Sequence, residues 1–283
     1  MPDTGTVVAV AQLALTVGEP DANREAARAA IAEAALAGAR LVVLPELSDS
    51  GYLLADAGEA RSLASPAAAS ATLTGWRSQA STHDLTIAGG FCELGTDGKL
   101  YNSAAIVDAS GTLAVYRKVH LWDAEKEIFT PGDSAPPVVE LPFGKVGLMI
   151  CYDLEFPEWV RLAALSGADL IAAPVSWAAA GSPMPPGERS GEVVAVQAAA
   201  AANGVFIAVA DRCRTERGVQ WLGGSVIVRR SGYPAAGPVC EDRSAVLTAT
   251  IDLSRARDKR ISERNDLFAD RRPDLYARLL DVE

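Results

Sequence analysis

Two stretches far apart in the chain follow one plan: Gly38-Ala39-Arg40-Leu41-Val42-Val43-Leu44-Pro45 and Gly167-Ala168-Asp169-Leu170-Ile171-Ala172-Ala173-Pro174. Each begins on a glycine suited to end a helix, runs through a short apolar segment and stops at a proline, so each reads as a helix-loop-strand unit with a buried strand. The pair points to a pseudo-symmetric arrangement of two α/β layers. The remaining elements fall in around it. Val7 to Leu13 reads as a first strand, Ala22 to Ala37 as an alanine-rich helix, Ala67 to Thr82 as a second helix and Leu85 to Glu93 as a strand. The Asp97-Gly98 turn pairs Leu100 to Val107 back as a hairpin, which Leu113 to Tyr116 continues. Val146 to Ile150, Val205 to Ala210, Ser225 to Val228 and Ala245 to Ile251 read as further strands, and Glu158 to Leu165 and Val193 to Asn203 as helices. Trp122 to Ser134 and Ser176 to Arg189 read as long loops, and a loop as long as the first tends to serve function inside a compact domain.

No Pro/Gly/Ser-rich linker or charge block divides the 283 residues, so one domain over residues 1–260 is expected, with a charged tail over 261–283 that either docks on a partner subunit or is a loosely attached surface segment. Hydrophobic residues at 49% against 22% charged are enough for a sizeable core. A net charge of -10 without a basic block excludes nucleic acid as a partner, because phosphate binding needs clustered Lys and Arg. No apolar stretch approaches the roughly 18 residues of a membrane span. The run Val7 to Ala14 is short and lacks a basic leader, so it is not read as a signal peptide, and the expected compartment is the cytoplasm. The four cysteines, Cys92, Cys151, Cys213 and Cys240, form no CxxC pair, which argues against a disulfide framework or a metal site.

One of those cysteines stands apart. In Val146 to Glu158, VGLMICYDLEFPE, an apolar run leads into Cys151, and Pro157 opens the helix that follows. A side chain at a strand-to-helix elbow is fixed by the strand, while the turn after it leaves backbone N–H groups free to receive negative charge. Cys151 is therefore placed as a nucleophile, against the bland reading of a small buried hydrophobe. A nucleophile needs a base, and the chain has only two histidines, His83 and His120. His83 reads as part of a helix end. His120 stays available, but carboxylates are the better supply, and Glu46 ends the first of the twin units beside its proline.

Three segments thus put reactive groups at strand ends: Pro45-Glu46, Arg117-Lys118 and Ile150-Cys151. Together the stretches LVVLPELSDSGY, YRKVHLWDAEKEIFTPGD and VGLMICYDLEFPE, in this order, resemble the nitrilase or carbon-nitrogen hydrolase superfamily over nearly the whole chain. The resemblance implies a four-layer α-β-β-α sandwich and a Glu-Lys-Cys centre. Assembly as a homodimer or higher homo-oligomer, commonly through the helices flanking the nucleophile, is also implied. It makes Glu46 the general base, Lys118 the lysine, Cys151 the nucleophile and the Tyr152 backbone N–H an oxyanion donor. Family members carry a second glutamate after the lysine. The register Glu125-Lys126-Glu127-Ile128-Phe129-Thr130-Pro131-Gly132 selects Glu125, whereas a shorter loop would select Glu127.

The chemistry follows from the residues. A free thiol is mostly protonated at neutral pH, a nearby ammonium favours the thiolate, and a carboxylate can take the proton. The expected reaction is hydrolysis of a small amide to carboxylic acid and ammonia through a Cys151 thioester, with no cofactor. Tyr152-Asp153 after the cysteine, rather than Trp-Glu, places the chain nearer amidases and carbamoyl-hydrolases than true nitrilases. N-carbamoyl amine or amino acid hydrolysis is the alternative, with Arg189, Arg212 or Arg214 as carboxylate holders, and nitrile hydrolysis comes after it. A vestigial binding or scaffold protein is the non-enzymatic alternative. Tyr52, Trp122, Ser176 and Trp177 are the expected substrate-pocket residues, with Trp221 as a further aromatic candidate.

Overall fold

The structure, a computed structural model, describes residues 5–179 and 188–276. Side-chain alternation decides how its first layers pack. In β1 (Thr6–Ala14), Val8 and Val10 point to one face, and Ala9, Ala11 and Leu13 to the other. α1 (Pro20–Leu36) covers the second face with Ala27, Ala30, Ile31 and Ala34. β2 (Leu41–Val43) splits the same way, Leu41 and Val43 facing inward and Val42 outward. This period of two lets one strand feed two cores.

Two elements depart from the sequence reading on the way to the next strand. A short helix, α2 (Ala57–Leu63), is started by Asp56, whose carboxylate accepts from the Gly58 and Glu59 N–H groups. The helix expected over Ala67 to Thr82 is interrupted. Ala67–Ala69 forms one 3-10 turn, and α3 (Ala71–His83) starts afresh because the Ser70 hydroxyl caps the Leu73 N–H. β3 (Thr86–Leu94), β4 (Leu100–Asp108) and β5 (Gly111–Arg117) then form an antiparallel meander.

The loop expected over Trp122 to Ser134 contains a single helical turn, α4 (Glu125–Ile128). β6 (Val138–Leu141) and β7 (Gly144–Leu148) form a hairpin in which Gly144 and Lys145 pair with Leu141 and Glu140. That pairing starts the strand earlier than the Val146 to Ile150 read from the sequence. A 3-10 turn, Cys151–Glu155, separates it from α5 (Pro157–Leu165). β8 (Leu170–Pro174), α6 (Gly191–Asn203) and β9 (Phe206–Ala210) follow. Part of the loop expected over Ser176 to Arg189, residues 180–187, lies outside the described residues. Short strands β10 (Arg212–Cys213), β11 (Thr215–Glu216), β12 (Val219–Gln220), β13 (Val226–Val228) and β14 (Pro234–Ala236) lead to β15 (Ala245–Ile251), which returns to pair antiparallel with β1. The 261–283 segment is described as far as the turn α7 (Pro273–Tyr276), and Phe268 within it packs against the main core.

One sheet runs β10-β1-β2-β3-β4-β5 with β15 beside β1, and the other runs β14-β13-β9-β8-β7-β6. The twin units therefore supply β2 and β8, each flanked by parallel neighbours in its own sheet. The sheets face one another through Val8, Val10, Leu41 and Val43 on one side and Leu148, Ala172 and Ala208 on the other, while Ile171 shares with Gly147 the face that meets Ala163 of α5. α1 and α3 lie outside the first sheet, and α5 and α6 outside the second, through Val160, Ala163, Val193 and Val196. This is the four-layer α-β-β-α sandwich. Each large aliphatic side chain buried between layers contributes about 1.5–3 kcal/mol. Among the described residues no helix is long and apolar enough to cross a membrane.

Candidate active site

Four reactive side chains converge where strands of both sheets end. Glu46 follows β2 on the extension Leu44-Pro45, and its main chain lies so close to β3 that a Cβ at Gly90 would sit 2.6 Å from the Glu46 Cα. Only glycine allows that approach. Lys118 follows β5, its N–H bonded to the Asn102 carbonyl at 2.8 Å. The Pro131-Gly132 turn seals it from the other side. The Gly132 N–H donates to the Lys118 carbonyl at 2.8 Å, and a Cβ on Gly132 would meet the Arg117 carbonyl at 2.3 Å.

The Glu46 and Lys118 side chains are wholly buried, and the Lys118 Nζ lies 2.7 Å from Glu46 Oε1. Glu125, first residue of α4, brackets the same ammonium with Oε1 at 2.9 Å and Oε2 at 2.8 Å. Its Oε2 also accepts the Trp122 N–H at 2.8 Å, which fixes the turn that carries it. Glu127, two residues on, is exposed, so the structure places Glu125 and not Glu127 at the lysine. Asn102 on β4 was not singled out in the sequence, yet its amide donates to Glu46 Oε1 at 2.8 Å and to Glu125 Oε1 at 3.1 Å. The available signal was a polar residue within the apolar strand Leu100 to Val107.

Cys151 sits at a left-handed backbone angle, φ +48°, directly after extended Ile150. For a residue with a Cβ this costs about 1–2 kcal/mol and must be held by its surroundings. Asp153 holds it. This fully buried carboxylate accepts the Ile150 N–H at 3.1 Å and the Tyr116 hydroxyl at 2.7 Å on one oxygen. Its other oxygen takes the His120 N–H at 3.1 Å and lies 2.6 Å from the His120 ring Nδ1. The His120 ring stacks on Phe156 and does not line the cavity that Cys151 faces. The Tyr152 N–H stands in the first turn of the 3-10 segment, where no carbonyl of that helix reaches it.

Electrostatics set the resting protonation. Burial and the Glu46 carboxylate push the Cys151 thiol well above its ordinary range, and the pull of Lys118 toward the thiolate does not overcome them. The ammonium does favour the thiolate, as expected, but burial of the thiol and the Glu46 carboxylate outweigh it. Burial pushes Glu46 up as well, against the opposing influence of Lys118. Burial alone would lower Lys118, but the Glu46 and Glu125 carboxylates outweigh it and hold the ammonium charged. The second Glu46 oxygen, Oε2, is buried without a hydrogen-bond partner among the described residues. The arrangement brings together a thiol pushed toward its protonated form, a carboxylate with one oxygen that no described protein group engages and a fixed ammonium.

A cavity of about 290 Å³ opens on Cys151 and Glu125. Tyr52, Trp122, Ser176 and Trp177 all line it, as does Trp221. The proposed carboxylate-holding arginines do not. Arg212 is buried with its fork turned to Glu216 at 2.7 Å and to the Glu46 carbonyl at 3.4 Å. Arg189 bonds Gln197 at the surface, and Arg214 is exposed away from the cavity.

A family model for carbon-nitrogen hydrolases matches residues 7–261. A nitrilase of Pyrococcus abyssi is 39% identical over 271 residues, covering 96% of this chain and 99% of its own. A citrullinase of Francisella tularensis is 32% identical and covers 95% and 96% respectively. The crystal structure of an amidase from Nesterenkonia sp. superposes with a TM-score of 0.79 at 27% identity, covering 99% of this chain and 98% of that one. A variant of that amidase, 26% identical with a TM-score of 0.79, carries the acetamide moiety of fluoroacetamide covalently at its active-site cysteine.

Proposed function

The chain belongs to the carbon-nitrogen hydrolase family, and from that premise we propose that it is an amidase that converts a small amide to carboxylic acid and ammonia through a thioester on Cys151. The observation that carries the mechanism is the unpartnered Oε2 of Glu46 in a cluster whose thiol is held protonated. In this reading the Cys151 Sγ attacks the amide carbonyl as its proton passes to Glu46. The developing oxyanion is held by Lys118 and the Tyr152 N–H, each good donor contributing about 3–4 kcal/mol at the transition state. Glu46 then protonates the departing nitrogen as the carbon-nitrogen bond breaks, leaving the thioester and ammonia. A water that gives its proton to Glu46 attacks the thioester, and the thiolate leaves with a proton returned by Glu46. Glu125 fixes Lys118 and aligns the amide nitrogen.

The pocket favours an amide over an N-carbamoyl amino acid, because among the described residues no arginine or lysine lines it to receive a carboxylate. We read the assembly as a homo-oligomer formed through α5 and α6, which expose Leu162, Leu165 and Val194, and light scattering on the purified protein tests this. Its four free thiols fit a reducing cytoplasm. The functional test is ammonia release from short amides, with mass spectrometry of the enzyme quenched during turnover of a slow amide. An acyl adduct on the Cys151 peptide is expected. An adduct on Cys92, Cys213 or Cys240 would relocate the nucleophile.

A further inference from the structure

The charged lining of the active-site cavity is all of one sign. Asp123, Glu125, Glu155 and Glu192 contribute to it, and among the described residues no Lys or Arg does. Residues 180–187, outside the described part of the chain, read AGSPMPPG and contain no charged side chain. Glu125 is taken up by Lys118, whereas Asp123, Glu155 and Glu192 make no ion pair among the described residues. Glu155 and Glu192 line the same cavity, and burial and the neighbouring Glu192 both push the Glu155 carboxyl up. Like charges brought together without a partner are costly and call for a counter-charge.

The other walls suit a cation attached to an apolar chain. Trp122 meets Tyr152 edge-on at 4.8 Å between centroids, and Tyr52 meets Trp221 at 5.4 Å. Aromatic faces attract ammonium groups, and a carboxylate here would find neither a positive charge nor a guanidinium fork. Two further lining groups are buried and polar yet unpartnered: the Ser176 hydroxyl and the Trp221 indole N–H. They point to a ligand with its own donors and acceptors, as an amide has. Cys151 and Glu155 are the two ends of one 3-10 segment.

We infer that Glu155 and Glu192 form a subsite for a primary ammonium group, making ω-amino amides the preferred substrates of this enzyme. The inference rests on the amidase reading above and narrows it. The test compares kcat/KM for three amides of matched length: 5-aminopentanamide, hexanamide and 5-amino-5-oxopentanoate, which are cationic, neutral and anionic at the far end. The cationic amide should exceed the neutral one by about 10-fold or more, chiefly through KM, with the anionic amide last. n-Butylammonium should inhibit competitively where n-butanol does not, a readout that needs no variant. In E155Q/E192Q the cationic-to-neutral ratio should collapse toward one.

Equal kcat/KM for the three amides overturns the subsite, as does a ratio that survives in the double variant. A Glu155→Gln protein with changed solution mass and an unchanged ratio overturns it in favour of a subunit contact. Absence of ammonia release from all three, with wild type no better than Cys151→Ala, would instead count against the amidase reading itself.

Discussion

Glu46 and Asp153 are both fully buried carboxylates within the same end of the sandwich, and they are satisfied in opposite ways. Asp153 has both oxygens occupied, by the Ile150 and His120 N–H groups, the Tyr116 hydroxyl and the His120 ring. Glu46 has one oxygen shared between Lys118 and Asn102 and the other without a partner. A saturated buried acid cannot accept a further proton without losing a hydrogen bond, so it serves to hold shape. One with a free oxygen retains a site for a proton in transit. Burial alone therefore does not mark a reactive acid; Glu46 combines an acceptor oxygen without a protein partner with a place beside Lys118, whereas Glu216, whose Oε1 is likewise unpartnered, is held by Arg212 and does not line the cavity.

Glu46→Gln puts the contrast to its strongest test. It keeps the shape and the acceptor for Lys118 while removing the base, so turnover should fall by about 10^3-fold with the melting temperature near that of wild type. Wild-type turnover in that variant would move the base elsewhere. Lys118→Arg keeps the charge, but a planar fork cannot occupy the place of a compact ammonium bracketed by Glu46 and Glu125, and a loss of about 10^2-fold in kcat is expected. Asp153→Asn should show the reverse profile. Whichever way its amide points, an NH2 group meets N–H or O–H donors, costing about 2 kcal/mol and lowering the melting temperature by several degrees. Any loss of kcat should accompany that destabilisation; a stable Asp153→Asn protein with a large kcat defect would erase the distinction.

The pH profile sharpens the same comparison. Because burial raises Glu46, the acid limb of kcat/KM should lie above the ordinary carboxylate range, with activity lost as pH falls through the raised value. Because the thiol is also raised and gives its proton to Glu46, kcat/KM should stay level from about pH 7 to 9. A tenfold rise per pH unit toward an ordinary thiol value would show a free thiolate at work. The smallest effect is expected at Glu127→Gln, within about 2-fold of wild type, since that side chain is exposed, whereas Glu125→Gln should lose about 10^2-fold.

Much of the site was legible because its groups end short, strongly patterned strands. Glu46 beside Pro45, Lys118 after Tyr116-Arg117 and Cys151 after the apolar run could each be placed from their neighbours. Glu125 was selected over Glu127 only through the loop register that the family resemblance implies, counted back from Pro131-Gly132. Asn102 was not, because nothing near it in the chain shows that it will meet Glu46, 56 positions away, and Glu125, 23 positions away. Asp153 likewise reads as one more polar residue after the nucleophile until His120 and Tyr116 close on it. The break at Ser70 and the 3-10 turn after Cys151 escaped for a local reason. Both are single-turn features, in which one cap or one left-handed residue outweighs the propensity of the surrounding run.

The sequence by itself determined most of the sheet strands, the two α/β layers and the three strand-end groups, since side-chain period and turn residues act over a few neighbours. Only the tertiary structure decided the protonation of Cys151, the free oxygen of Glu46, the exclusion of Arg212 from the pocket and the one-signed cavity lining. Those depend on how many charges and donors stand within a few ångströms, and Coulomb and hydrogen-bond energies follow distance in space, not separation along the chain.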